Sequence, residues 1–99
     1  MRALAAARDV ELSISSYRTE HGAEVDFIVE PNNMPWAIEC KASHHVGRSD
    51  LRGLASFAEH FKRKHRAVIA YVGSVPRMVD GVEVLPWQSV LAELDAAIM

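Results

Sequence analysis

Residues Glu24–Lys41 read EVDFIVEPNNMPWAIECK, two apolar-rich runs separated by PNNMP. Pro31 brings a fixed φ, and Asn32 and Asn33 tolerate left-handed backbone, so the stretch predicts an antiparallel hairpin turning between the two asparagines. In that register Val25 faces Cys40, Phe27 faces Ile38 and Val29 faces Trp36, which makes one face wholly apolar and fit for a core. The other face carries Asp26 opposite Glu39, with Lys41 two residues farther along, because side chains alternate along a strand.

Two carboxylates directly across a strand pair have β-carbons about 4.5 to 5.5 Å apart and repel unless something lies between them. A hard divalent cation answers that repulsion: Mg²⁺ binds through one or two carboxylates and keeps several waters. Asp26 and Glu39 are therefore candidate ligands for Mg²⁺ or Mn²⁺. Lys41 is placed to orient a water or to stabilise charge building on a phosphate. The plain alternative is an ordinary half-exposed sheet, whose solvent face is rich in Glu, Asp and Lys.

Asp26 followed after a short turn by Glu39-Cys40-Lys41, inside hydrophobic strands, resembles the PD-(D/E)xK motif of the restriction-endonuclease-like nucleases. The wider strings SYRTEHGAEVDFIVE, WAIECKAS, SDLRGLASFAEHF and AVIAYVG are similar to the uncharacterised C-terminal domain of predicted AAA+ ATPases, from about Ser16 to Pro86. The resemblance implies an α/β fold with a restriction-endonuclease-like core, and one nuclease-like domain over 1–99 that is the C-terminal part of a longer ATPase-type protein. It also implies metal ligation by Asp26, Glu39 and the main-chain carbonyl of Cys40, with Lys41 as the catalytic lysine. A further carboxylate often accompanies such sites, and Glu11 and Glu20 are the candidates nearby.

Length and composition bound the rest. With 99 residues, of which 49% are hydrophobic, there is room for one modest core. No apolar run approaches the roughly 18 residues that span a bilayer, and the Ala-rich start is broken by Arg8 and Asp9, so a cytoplasmic protein without membrane contact is expected. Cys40 is the single cysteine, which excludes an internal disulfide; on the apolar face it reads as a small core residue. A formal net charge of -2 is not the footprint of a strong, sequence-independent nucleic-acid binder, although carboxylates of a metal site make that site negative until the ion binds. There is no GxxxxGK[ST] loop, so nucleotide binding is not expected of this chain.

In chain order, residues 1–9 read as the end of a helix or a loose arm, followed by a strand from about Glu11 to Arg18. His21-Gly22 marks a turn, and a tight one sets Tyr17 opposite Asp26. After Lys41 a polar loop carries Ser43, His44 and His45. Ser49 then reads as a helix N-cap, with Asp50 in the first turn. Leu51, Leu54, Ala55, Ala58 and Phe61 form one stripe, expected to cover the apolar face of the hairpin, and Gly53 allows close packing on the sheet. The basic run Lys62–Arg66 complements the helix dipole. Ala67 to Val72 reads as a parallel strand buried on both faces, reached by a right-handed crossover. Val82 and Val84, after Asp80-Gly81, suggest a further short strand. A C-terminal helix begins after Pro86, with Val90, Leu91, Leu94 and Ile98 on one face and Trp87 packing at its start.

Two functions fit this pattern. One is a Mg²⁺-dependent nuclease hydrolysing DNA, or less readily RNA, with Ser43, Arg48 and Arg52 as nucleic-acid contacts. The alternative is a catalytically inactive, nuclease-like interaction or regulatory module of an AAA+ ATPase. It would meet a second copy of itself or the ATPase module through exposed Met34, Trp36 or Met78.

Overall fold

A computed structural model describes residues 14–20 and 22–98; the expected start of the first strand, Glu11, and His21 lie outside them. The chain is mixed α/β. Strands β1 (Ile14–Arg18), β2 (Glu24–Val29) and β3 (Trp36–Lys41) are followed by helix α1 (Arg52–Phe61) and β4 (Arg66–Tyr71). A hairpin of β5 (Arg77–Val79) and β6 (Val82–Pro86) then leads into helix α2 (Trp87–Ile98). The six strands form one sheet in the order β1-β2-β3-β4-β6-β5. β3, β4 and β6 run parallel, and the remaining neighbours pair antiparallel.

The β2–β3 hairpin turns where the sequence places it. Asn32 and Asn33 both adopt positive φ, 53° and 63°, a region that asparagine tolerates better than most residues. Its register is the expected one from Val29↔Trp36 to Phe27↔Ile38. Beyond that point the expected pairs Val25↔Cys40 and Asp26↔Glu39 do not form. The cause lies on the other side of β2: Ser15 pairs with Ile28 but Tyr17 pairs with Val25, so Asp26 and Phe27 together oppose Ser16. One extra residue in a strand is a β-bulge, and it breaks the alternation of side chains. Val25 and Ile28 consequently share the α1 face, while Phe27 and Val29 share the α2 face.

That division corrects the expected layering. The Phe27, Val29, Trp36 and Ile38 face packs with Val90 and Leu94 of α2. Helix α1 lies on the opposite face, with Leu54 and Phe57 against Val25, Ala37 and Ile69. It is also turned from the expected stripe: Leu51, Gly53, Leu54 and Phe57 are buried, whereas Ala55 and Ala58 face solvent. Phe57 sets that rotation, fitting edge-on to Tyr17 and His65 with ring centroids 5.4 and 5.2 Å apart and stacking on Phe61 at 4.7 Å. Tyr17 therefore lies under α1, its hydroxyl 2.8 Å from Ser56 Oγ, and not beside Asp26.

The basic run has a structural use. Lys62 ends α1 in left-handed backbone, and Arg63 pairs with Glu30 at 3.2 Å. Arg66, already in β4, makes two bonds to Glu83 at 2.6 and 2.8 Å and one to Glu93 at 2.8 Å, with its guanidinium 4.5 Å above the ring of Trp36. The sequence reading missed β5, which Asp80-Gly81 joins to β6 with φ of 48° and 83°. Two successive positive φ values are what a type I′ hairpin requires, and Asp-Gly is its usual sequence. Among the described residues, no helix is long and apolar enough to cross a membrane.

Gly53 is where α1 meets the sheet. A Cβ built there would lie 1.9 Å from the main-chain oxygen of Glu24, a contact that only backbone movement relieves. Gly53→Ala is expected to destabilise the fold by about 2 kcal/mol, despite alanine's better helix propensity. A lower urea midpoint at unchanged slope would register this; an unchanged or raised midpoint would contradict the contact.

Candidate functional site

The candidate residues gather at the C-terminal end of β3, where that strand is flanked by antiparallel β2 and parallel β4. Carboxyl ends of strands in open α/β sheets are where ligands usually bind. On the α1 side a cleft of about 250 Å³ opens, walled by Glu24, Glu39, Ser49, Asp50, Arg52 and Gly53. Glu39 is pressed toward α1, its Oε1 only 3.1 Å from the position a Gly53 Cβ would take.

The bulge decides the orientation of Asp26. Where the β2–β3 ladder stops, the Asp26 carboxylate takes its place: the Cys40 N–H donates to Asp26 Oδ2 at 2.8 Å. In an antiparallel hydrogen-bonded pair, one residue's N–H and C=O face the same neighbour. The Cys40 carbonyl therefore lies along the strand edge that meets Asp26.

Lys41 turns to the loop before α1. Its Nζ donates to Asp50 Oδ1 at 2.5 Å, and Asp50 Oδ2 accepts the Gly47 N–H at 2.9 Å. Asp50, not Ser49, thus secures the start of the helical segment, whose first turn, Arg48–Leu51, is a 3₁₀ helix. These two bonds hold the Asp50 carboxyl below its usual range, the lysine bond contributing most.

Glu39 moves the other way. Burial raises its pKa first, then the charges of Asp26, Asp50 and Glu24, and Lys41 only partly offsets them, leaving Glu39 at about 7. Asp26, Asp50 and Glu24 all act on this one carboxylate. The Cys40 thiol is likewise raised, by burial and then by Asp26 and Glu39, which disfavours the reactive thiolate. Although its surroundings desolvate the thiol, Cys40 as a whole is exposed and not a core residue; it lines an open apolar cleft with Trp87 and Leu91.

Of the three residues expected to touch nucleic acid, Arg52 lies in the wall of the Glu39 cleft. Arg48 is drawn to Asp80 at 3.2 Å, and Ser43 Oγ accepts the His45 N–H at 3.1 Å. Glu20 is exposed and forms no part of the cleft wall, and Glu11 lies outside the described residues. The carboxylates that the sequence reading missed are Glu24 and Asp50. Asp50 was legible only as a helix-start residue; a carboxylate nine positions after a site lysine gives no sign of pairing until the loop's path is known.

Among the described residues, no three His, Cys, Asp or Glu side chains form a ready-made metal cage. Mg²⁺, however, needs only one or two carboxylates and oxygen donors besides. The donor chemistry here fits that requirement: Glu39 and Asp26 are carboxylates, the Cys40 carbonyl is a third oxygen, and Glu39 sits among negative charges that a cation would relieve.

Turning to known proteins, residues 1–90 match a family model described as a domain of unknown function (DUF4143). No curated protein and no solved structure matches the chain.

The raised pKa of Glu39 has a sign that can be measured. Between about 4.5 and 7 the folded protein holds a proton that the unfolded chain has released. Stability from this group is thus full below the lower value and lost as pH rises through the upper one. Glu39→Gln is expected to stabilise the protein by roughly 1 kcal/mol above pH ~7, the full shift being discounted for the group's partial exposure. The gain should vanish near pH 4.5. Urea unfolding of both proteins across that range is the measurement; a gain independent of pH would mean that the proton linkage is absent.

Proposed function

We propose that this chain, which belongs to the DUF4143 family, is a metal-dependent phosphodiesterase that hydrolyses nucleic acid, DNA in preference to RNA. The single observation that carries the reading is the state of Glu39, a carboxylate raised to about 7 by burial and by Asp26, Asp50 and Glu24, in a cleft at the end of the central strands. Perturbed carboxylates in clefts mark sites where charge is handled. The order of strand, strand, helix and strand around Asp26, Glu39 and Lys41 supports a restriction-endonuclease-like core as the finer description of the fold.

Glu39, Asp26 and the main-chain carbonyl of Cys40 would hold Mg²⁺ or Mn²⁺. Bound there, the ion would polarise a phosphoryl oxygen and supply an acidic water. The chain's own groups do the rest. Lys41 contributes a fixed positive charge against the negative charge that grows on a phosphate during attack. Arg52, on the cleft wall, offers a guanidinium of the kind that grips phosphate oxygens. Asp26→Ala, Glu39→Ala and Lys41→Ala, each verified as folded, are expected to lower Mg²⁺-dependent cleavage of DNA oligonucleotides by about 100-fold or more. Cleavage that survives in all three variants, or that EDTA leaves intact, would sink the proposal.

A second reading has its own support. On the opposite face of the sheet an apolar cleft of about 430 Å³ is lined by Phe27, Ile38, Cys40, Val72, Trp87 and Leu91, among others. Trp87 and Leu91 are 46% and 40% exposed there, whereas both were expected to pack, and Val72 beside them is 44% exposed. Of the anticipated Met34, Trp36 and Met78, the two methionines are exposed, but Trp36 is buried beneath Arg66. Exposed apolar surface of this kind suits an interaction module that meets an ATPase module or a second copy. That reading expects association without any metal requirement, lost in Leu91→Glu, by size exclusion with light scattering. A strict monomer that captures no ATPase module would count against it.

A further inference from the structure

We infer that Asp50 is the positioning residue of this site, the group that holds the Lys41 ammonium at the edge of the Glu39 cleft. The inference rests on the phosphodiesterase reading for what Lys41 does, but not for where Lys41 is held.

The geometry is a relay from backbone to ammonium. Asp50 is fixed at the start of the helical segment by two bonds with Gly47: its N–H donates to the Gly47 carbonyl at 3.0 Å and its Oδ2 accepts the Gly47 N–H at 2.9 Å. Oδ1 is left for Lys41 Nζ at 2.5 Å. Both side chains are largely sheltered, 34% exposed for Lys41 and 20% for Asp50, so the pair is less diluted by water than a surface ion pair. Asp50 also forms part of the wall of the cleft that Glu39 enters.

A free lysine side chain carries a flexible four-carbon stem and a point charge with three donors. Asp50 takes one donor and removes the freedom of the stem, leaving two N–H groups to meet a water and a phosphate oxygen. A lysine without that partner keeps the freedom of its stem and swings toward solvent. Asp50 thereby fixes where the positive charge sits, on the strand that also carries Glu39 two residues earlier.

The test uses the chain's own lysines. There are three, Lys41, Lys62 and Lys64, and the last two are exposed. Limited reductive methylation with formaldehyde and cyanoborohydride, read by peptide mass spectrometry, reports each amine separately. In the wild type Lys41 is expected to react roughly fivefold more slowly than Lys62 and Lys64, the protection a sheltered ion pair gives. Asp50→Asn keeps an oxygen for the Gly47 N–H, so the helix start and the urea midpoint should survive, while Lys41 rises to the rate of the other two. Asp50→Ala should raise it as well, with some loss of stability from the missing cap.

Equal rates for all three lysines in the wild type, or an unmoved Lys41 in Asp50→Asn, would overturn the inference. Oligonucleotide cleavage separates it from the function it serves. Protected Lys41 with no cleavage in the wild type leaves the positioning intact and removes the phosphodiesterase. Metal-dependent cleavage with an unchanged kcat in Asp50→Asn keeps the phosphodiesterase and removes the positioning role.

Discussion

Backbone rests on backbone where α1 crosses β2, and most of the molecule's chemistry follows from that contact. With no side chain at Gly53, the helix settles directly onto the Glu24 carbonyl. Leu54 and Phe57 then reach the sheet at core depth, and the helix is carried across the end of β3. Glu39 is caught beneath it. Its desolvation owes much to a helix laid close enough that a Gly53 Cβ would lie 3.1 Å from Glu39 Oε1. The same placement brings Asp50, at the helix start, within bonding distance of Lys41.

The electrostatics divide into two separate settlements. At the N-terminal end of the parallel strands, Arg66 meets both Glu83 and Glu93 and covers Trp36. At the C-terminal end Lys41 is held by Asp50 and Arg18 by Glu24 at 3.2 Å, while the charges of Asp26, Asp50 and Glu24 still raise Glu39. Structural ion pairs generally neutralise what they bury. A carboxylate raised by burial and by its neighbours' charges, at the end where open sheets usually bind ligands, is a reason to assign that end a chemical role.

Much of this was legible in the sequence, and the exceptions share a cause. The asparagine turn, the Phe27↔Ile38 register, the buried β4 and the C-terminal helix all follow from local rules: turn chemistry, alternation and β-branched runs. The bulge at Asp26 does not, because nothing in EVDFIV itself marks an extra residue; it appears only in the pairing with β1, where Val25 and not Asp26 comes to lie opposite Tyr17 on the α1 face. The rotation of α1 was equally hidden. Ala55 and Ala58 match a helical stripe as well as Phe57 does, and only the three rings around Phe57 decide between them. Asp50 lay in view as a helix-start residue, but its second oxygen was not, since its partner arrives from another element. In each case the missing information was a contact between distant segments, which periodicity does not carry.

The hairpin that the sequence reading overlooked bears on how the sheet ends. β5 is three residues long, preceded by Pro76 and closed by the Asp80-Gly81 turn, with Arg77 leaning over the ring of Tyr71 at 5.8 Å. A long, flat outer strand presents an unpaired row of amides and carbonyls on which a foreign strand can grow, and short, charged outer strands deny it that row. The β-branched, largely buried strands at the centre of this sheet are the kind of sequence that would extend indefinitely if left at a margin. By interposing so brief a margin, the fold shields its most aggregation-prone segments from lateral growth.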